Sequence, residues 1–495
     1  MRGFLTYLLL LIIHYAQAQN RTNVWELGYF NTLVYPNCEM RYMSGAMDTI
    51  SISRIMALNI SNTSICDTLG NLLFYTNGLI IGNSEYDTLQ NSINFNPGII
   101  TSNSEPQGMK NSQGALIIPD PGDMQRYYLF HESGEYFIAH NQNEAQPLYL
   151  SYSVVDMKFD GGLGRIVDTL KNVKIIEDTL TWGGLTACKH ANGRDWWIIL
   201  HRYYNNMYYK LLVTPLGIQG PFTQSIGFDI TSDVVVQATF SPDGSKYCFT
   251  NFAGGVDYLQ FDRCTGEFSN AVSFINPDSF ACRGNSFSPN NRFLYVSTLF
   301  NLYQYDTWEN NMVENRIHVA AWDTFYDGTI PVYFFMHQLA PDGKIYMSSW
   351  NGVKYLNVIN DPDNLGLACN FTAHSYVLPT WTWNIPSFPN YDLGPLIGSP
   401  CDTLFLSNSQ TLNSNASFRI SLNPVSDWLN IIYSTEEDGV LSLLDINGKK
   451  VAETSLFHYF KNRLLNVSQL PAGVYLAVVT QNGEKMWSEK VVVVH

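Results

Sequence analysis

The stretch Phe240-Ser241-Pro242-Asp243-Gly244, running directly into the strand-like Lys246-Tyr247-Cys248-Phe249-Thr250, is written three times in this chain. It returns as Phe287-Ser288-Pro289-Asn290-Asn291 before Phe293 to Ser297, and as Leu339-Ala340-Pro341-Asp342-Gly343 before Ile345 to Ser348. The offsets are 47 (240 to 287) and 52 (287 to 339) residues. Proline at the second turn position presets φ, and a small polar residue followed by glycine or asparagine lets the chain reverse. Each copy therefore predicts a hairpin between two strands. A hairpin recurring at this period predicts an all-β protein built as a β-propeller, with blades of about four strands each.

Looser copies extend the pattern. Asp67 to Gly70 precedes Leu72-Leu73-Phe74-Tyr75-Thr76, Gly122 to Arg126 precedes Tyr127 to Phe130, and Ala191 to Arg194 precedes Trp196 to Leu200. Six units are visible, each followed by a further strand such as Tyr258 to Asp262 or Leu302 to Asp306. A seventh blade is expected from both ends of the repeat region, with Val24 to Leu27 closing against Ser375 to Leu378. Closure of that kind removes exposed strand edges. Seven blades are favoured, with six and eight open. The glycine-rich stretch Asp156 to Val167 reads as a turn inside a hairpin, since the Lys-Ser/Thr ending of a phosphate loop is missing.

Aromatic and charged residues each make up 14% of the chain, a mix that suits broad side chains packed between pleated surfaces. Lys plus Arg is 28 against Asp plus Glu 43, a net charge of −15 with no basic run, which argues against nucleic acid as a partner. Residues 1–18 read as a signal peptide. Arg2 supplies the positive start, Phe4 to Ile13 the apolar run, and Ala16-Gln17-Ala18 the small-x-small cleavage site. That run is shorter than the roughly 20 apolar residues of a spanning helix, and no later segment is long enough to give the mature chain one. Eight cysteines in an exported chain could form up to four bridges. Cys264 with Cys282, flanking one blade connection, and Cys369 with Cys401, bracketing the end of the repeats, are the preferred candidates. Cys66 and Cys248 read as buried thiols.

After Cys401 the chain changes character. Ser407 to Ser417 is small, polar and uncharged, which reads as a linker. Beyond it, Leu429 to Tyr433, Val440 to Asp445, Val474 to Val479 and Glu489 to Val494 alternate with Asn447-Gly448 and Asn482-Gly483 turns, the pattern of a small C-terminal β-sandwich. The expected domains are thus a signal peptide at 1–18, a propeller at 19–406, a linker at 407–417 and a tail domain at 418–495.

The tail carries ordered motifs: Asn423-Pro424 at its opening, Asp445-x-x-Gly448-Lys449 in a turn, Leu470-x-x-Gly473-x-Tyr475, and Lys490 before the final valine run. Together they resemble the type A C-terminal sorting domain of the type IX secretion system of Bacteroidota. The resemblance implies export to the periplasm, recognition of the tail by the outer-membrane translocon, and removal by a sortase-like peptidase. His495 departs from the usual apolar or lysine end. Ser64 to Gly78 and Asn111 to Pro119 are also similar to stretches in secreted propellers carrying this tail, a resemblance that implies fold and route but no catalytic residue.

Motifs for chemistry are sparse. The chain has no Gly-x-Ser-x-Gly elbow, no His-Glu-x-x-His and no calcium loop, so no cofactor and no metal are expected. The nearest metal-like constellation is His131, Glu132, Glu135 and His140, for which a solvated turn is the simpler reading. His190 and His201, flanking Trp196-Trp197, read as packing residues. In Trp381-Thr382-Trp383 a period-2 strand would place both indoles on one side, and Pro379, Pro386 and Pro389 disfavour a long central strand. Trp381 and Trp383 are therefore the candidate binding residues, against the simpler reading that they plug the closing blade. Binding of a glycan or protein ligand is preferred over the alternative, a secreted polysaccharide hydrolase or lyase with acids converging in the propeller channel.

Overall fold

A computed structural model describes residues 20–29, 36–43, 46–54, 56–104, 107–139, 142–230, 236–278, 282–402, 417–421, 424–446, 448–482 and 484–494. The expected signal peptide lies outside these residues. The chain divides into two compact units, Met1–Gly394 and Pro395–His495.

Among the described residues of the first unit, seven antiparallel sheets of three to five strands follow one another, opening with the strands Val24–Leu27, Thr63–Cys66, Ala115–Asp120, Thr186–Lys189, Val236–Phe240, Gly284–Phe287 and His337–Leu339. These opening strands meet their successors from sheet to sheet. Between the third and fourth sheets the link is a parallel bridge from Ser112 to Gly183. The last sheet returns to the first where Phe371–Thr382 packs against Asn37–Met43. Meandering sheets arranged around an axis by their innermost strands make a β-propeller.

The repeated turn forms because its own side chains satisfy its backbone. Gly244, Asn291 and Gly343 sit at φ of 72°, 63° and 80°, the left-handed region that glycine and asparagine tolerate. Ser241 Oγ accepts the Lys246 N–H at 3.0 Å and donates to Asp243 Oδ1 at 2.6 Å. Ser288 repeats this with the Phe293 N–H at 2.9 Å and Asn290 Oδ1 at 2.7 Å. The third copy has Ala340 in place of the serine and so lacks both serine bonds; there the Lys344 N–H donates to Asp342 Oδ1 at 3.1 Å and the Gly343 N–H to the Ala340 carbonyl at 3.0 Å.

Ring closure differs from the expectation. Val24–Leu27 pairs with Asn37–Met43 in its own sheet, with Leu27 opposite Cys38, while Val377 and Tyr376 lie opposite Tyr355 and Leu356. Each end strand has a partner nearby in the chain, which costs less loop-closure entropy than pairing across the whole propeller. The two ends close instead by packing, with Trp25, Met40 and Tyr42 against Tyr346, Leu356 and Leu378.

The cysteine pairing also differs. Cys282 and Cys369 are free and buried, as are Cys66 and Cys248, while Cys264 and Cys401 are disulfide-bonded. Cys282 sits in an apolar cluster with Tyr303 and Tyr305, and Cys369 in another with Phe334 and Ile359, so both pack as small hydrophobes.

The second unit has two sheets. One orders Ser417–Ser421, Trp428–Ser434 and Asn462–Asn466; the other orders Lys450–Leu456, Gly439–Leu444, Gly473–Gln481 and Glu484–Val493. Leu429, Ile431, Leu441, Leu443, Ala477 and Val491 of the two sheets share one core, as in a small β-sandwich. Of the expected linker, 407–416 lies outside the described residues and Ser417 begins a strand.

Candidate functional site at the two mouths of the propeller channel

The innermost strand of a propeller sheet has one edge without a strand partner, so its backbone groups need other acceptors and donors. Amide side chains supply them. Gln113 Nε2 donates to the Ala238 carbonyl at 2.9 Å, and the Ala238 N–H donates to Gln113 Oε1 at 2.7 Å. Gln237 Nε2 donates to the His337 carbonyl at 2.7 Å, while Gln237 Oε1 accepts the Asn285 N–H at 3.0 Å. This belt holds neighbouring sheets in register around the axis.

Pro242, Pro289 and Pro341 of the repeated turns gather at one mouth, around a cavity of about 310 Å³. The segment 388–394 crosses it. Asn390 Nδ2 donates to the Pro242 carbonyl at 2.6 Å, Tyr391 Oη to the Ile117 carbonyl at 2.6 Å, and Arg263 Nη2 to the Gly394 carbonyl at 2.5 Å. Arg21 and Asp392 line the cavity, and Asp392 is the one carboxylate among its described lining residues. His337 reaches it from the inner strand. The imidazole is 1% exposed with neither nitrogen hydrogen-bonded, and burial pushes its pKa down to about 3, so it is neutral near pH 7. Burial next to Arg21 and Arg263 also brings Lys189 down to about 8, although Asp392 opposes the shift.

At the opposite mouth, residues preceding the inner strands meet the turns between second and third strands. Arg283 immediately precedes Gly284–Phe287. Its guanidinium carbon lies 4.5 Å from the Phe252 ring centroid and 4.2 Å from that of Trp350. Trp350 makes edge contacts with Phe335 at 5.1 Å and Trp383 at 6.2 Å. Gly284 is needed for this approach, because a Cβ there would stand 2.4 Å from the Phe335 carbonyl oxygen. Four buried polar atoms in this cluster have no hydrogen-bond partner: Arg283 Nε and Nη1, Ser349 Oγ and Trp383 Nε1. Burial lowers the Arg283 pKa to about 10, with the Cys282 thiol opposing.

Trp381 and Trp383 are both half-buried, but they meet different partners. Lys354 Nζ lies 4.1 Å from the Trp381 ring centroid, and the Trp381 carbonyl accepts the Tyr29 N–H at 3.3 Å. Trp383 packs with Trp350, and Tyr29 lies at its edge, 6.2 Å away. Sequence reasoning missed Arg283, Phe252 and Trp350. Arg283 lies on the connection into one sheet and Phe252 and Trp350 in turns of two others, and no spacing in the chain announces that they converge.

The other candidates are dispersed. His131 is buried with its ring 4.4 Å from that of Phe95. Glu132 accepts from Asn111 Nδ2 at 2.6 Å, and consecutive strand residues such as these alternate faces. Glu135 Oε2 lies 3.5 Å from the Ile99 N–H, and His140 is outside the described residues. Among the described residues no group of three or more His, Cys, Asp or Glu could hold a metal ion. His190 Nε2 lies 3.0 Å from the Cys264 carbonyl, and His201 packs edge-on to Tyr208 at 4.4 Å.

The tail motifs are turn and strand devices. Asp445 Oδ1 accepts the Lys449 N–H at 2.9 Å, and its carbonyl accepts the N–H of Gly448, whose φ is 77°. Tyr475 Oη donates to the Pro471 carbonyl at 2.7 Å, closing the turn that holds Gly473, while Leu470 packs on the sandwich core. Pro424 is exposed, Lys490 is half-buried in the last strand, and Asn423 lies outside the described residues.

Fold and tail together define an all-β secreted protein, a propeller followed by a sorting sandwich. Residues 423–494 match the family described as the secretion system C-terminal sorting domain, so this chain carries the type IX export tail and is delivered to the cell surface or beyond it. Among the described residues no helix is long and apolar enough to cross a membrane. No curated protein matches the chain in sequence. Similar solved structures include the periplasmic gluconolactonase of Pseudomonas aeruginosa (13% identity, 74% of this chain and 99% of that one, TM-score 0.40). A protein from Lactobacillus plantarum gives 10%, 73%, 98% and 0.38 on the same measures. The β-propeller domain of Myceliophteria thermophila Cps50 gives 9%, 67%, 94% and 0.35. Likeness this distant transfers no activity.

Proposed function

We propose that the propeller binds a glycan outside the cell, at the mouth that carries Trp350, Trp383 and Phe252. The supporting observation is the coincidence there of half-buried aromatic faces with buried donors that lack acceptors. Sugars offer both complements, since their C–H faces are apolar and their oxygens accept hydrogen bonds. Trp381, under the Lys354 ammonium, extends the surface. Hydrolysis by a carboxylate pair has less support, because the cavity at the other mouth presents Asp392 alone.

In the same reading the tail, residues 418–495, is recognised by the type IX translocon and removed by a sortase-like peptidase, leaving the propeller, 19–406, as the working part. A glycan array combined with polysaccharide digestion tests the proposal. Retention of a glycan without release of products is expected, with retention lost in Trp350→Ala. Release of shortened oligosaccharides would instead establish the hydrolase or lyase reading.

A further inference from the structure

Arg283 is 5% exposed, and its side chain has no hydrogen-bonding or ion-pairing partner among the described residues. Burying an unpaired charge costs several kcal/mol, and native proteins avoid it unless something else pairs the charge. The Arg283 guanidinium carbon lies 4.5 Å from the Phe252 ring centroid and 4.2 Å from that of Trp350, so aromatic rings pack on the guanidinium. Its N–H groups remain for recognition. Nε and Nη1 are sealed from solvent without an acceptor, so Nη2 is the nitrogen reached from outside. A guanidinium set among aromatic rings with one nitrogen left for contact suits a ligand oxyanion, which that nitrogen can meet with a charge-assisted hydrogen bond. Ser349 Oγ, next to Trp350 in the chain, and Trp383 Nε1, on the indole that packs against Trp350, are likewise buried without a hydrogen-bond partner.

We propose that Arg283 reads an oxyanion on the sugar, a carboxylate or a sulfate ester, so that the glycan bound at this mouth is acidic. This rests on the glycan reading above and specifies its ligand class. A chain of net charge −15 would repel a polyanion in general, so one unpaired cation set into an aromatic frame makes recognition local rather than diffuse.

The test is calorimetric titration of the full mature chain with four probes: oligogalacturonate, its methyl ester, a sulfated carrageenan oligosaccharide and its desulfated form. One charged probe is expected to bind at least about tenfold more tightly than its neutral counterpart, and the preferred pair tells carboxylate from sulfate. Arg283→Met should abolish that preference while retaining weak binding of the neutral form, and should melt no lower than the parent chain. Arg283→Lys keeps the charge without the planar guanidinium that packs on the rings and should lose part of the preference, which carries the test if the methionine variant does not fold. Equal affinity for charged and neutral probes, or a preference that survives Arg283→Met, overturns the proposal and leaves glycan binding standing. Failure of every probe at millimolar concentration overturns both.

Discussion

Val425 and Val493 stand side by side in a parallel bridge that joins the opening of the sorting motif to its last strand. The Val425 N–H donates to the Val492 carbonyl at 2.8 Å, and the Val494 N–H donates to the Val425 carbonyl at 2.9 Å. Val425, just after the opening Pro424, is therefore hydrogen-bonded to the end of the last strand, 492–494, in the folded tail. Removing Val492 to His495 should leave both backbone groups of Val425 unpaired and take the buried Val493 from the core, costing on the order of 3 to 5 kcal/mol. The expected outcome is a loosened sandwich by circular dichroism and a propeller retained in the periplasm. Normal surface delivery of the truncated chain would refute this role for the terminal strand.

Trp383 and Trp381 should separate on substitution. Trp383 packs against Phe335, Met336 and Trp350, so Trp383→Ala should cost about 2 to 3 kcal/mol, below the full core value because the ring is half-buried. Trp381→Ala loses the contact with Lys354, worth about 0.5 to 1 kcal/mol, and part of its packing. Urea unfolding gives the stabilities, and titration well below each melting temperature gives the binding. A binding defect in stably folded Trp381→Ala would place that indole on the ligand.

Three buried imidazoles set the response to acid. Burial pushes His131 and His337 down to about 3 and His201 to about 4, against an unfolded value of about 6.5. Between those limits the unfolded chain binds more protons than the folded one. Stability is thus complete above about pH 6.5 and is lost as the pH falls toward the folded values. Each site should cost about 2 kcal/mol at pH 5. Urea midpoints at pH 7.5 and pH 5 measure the loss, and His337→Gln should shrink it by about one site's share. An unchanged difference would mean that His337 is not held neutral.

Arg54 and Glu26 form a fully buried ion pair, Nη1 to Oε2 at 2.6 Å, with Arg54 Nη2 also donating to the carbonyls of Leu27 and Gly28 at 2.8 and 2.9 Å. Burial holds the Glu26 carboxyl well above the usual carboxylate range even against this cation. Arg54→Met should therefore cost about 3 to 5 kcal/mol, by removing the cation beside the buried Glu26 carboxyl and the donor to the carbonyls of Leu27, Gly28 and Met56. Adding Glu26→Gln should recover part of that loss. A single variant as stable as the parent would show that the pair contributes nothing.

The sequence by itself determined the local grammar. Ser241-Pro242-Asp243-Gly244 makes its turn from its own serine, aspartate and positive-φ glycine, so any copy is legible without the rest of the molecule. The tail was legible for the same reason, since Asp445 and Tyr475 each close a turn within four residues of themselves. What only the tertiary structure decided lies between sheets. Trp25 packs with Leu378 where the ring closes, Cys282 and Cys369 stayed free within apolar clusters, and Arg283 came to rest against Phe252 and Trp350. Turn chemistry is set by neighbours in the chain, whereas these contacts join residues that only the curvature of the ring brings together. No periodicity encodes that curvature, because it is the sum of many packing contacts between sheets.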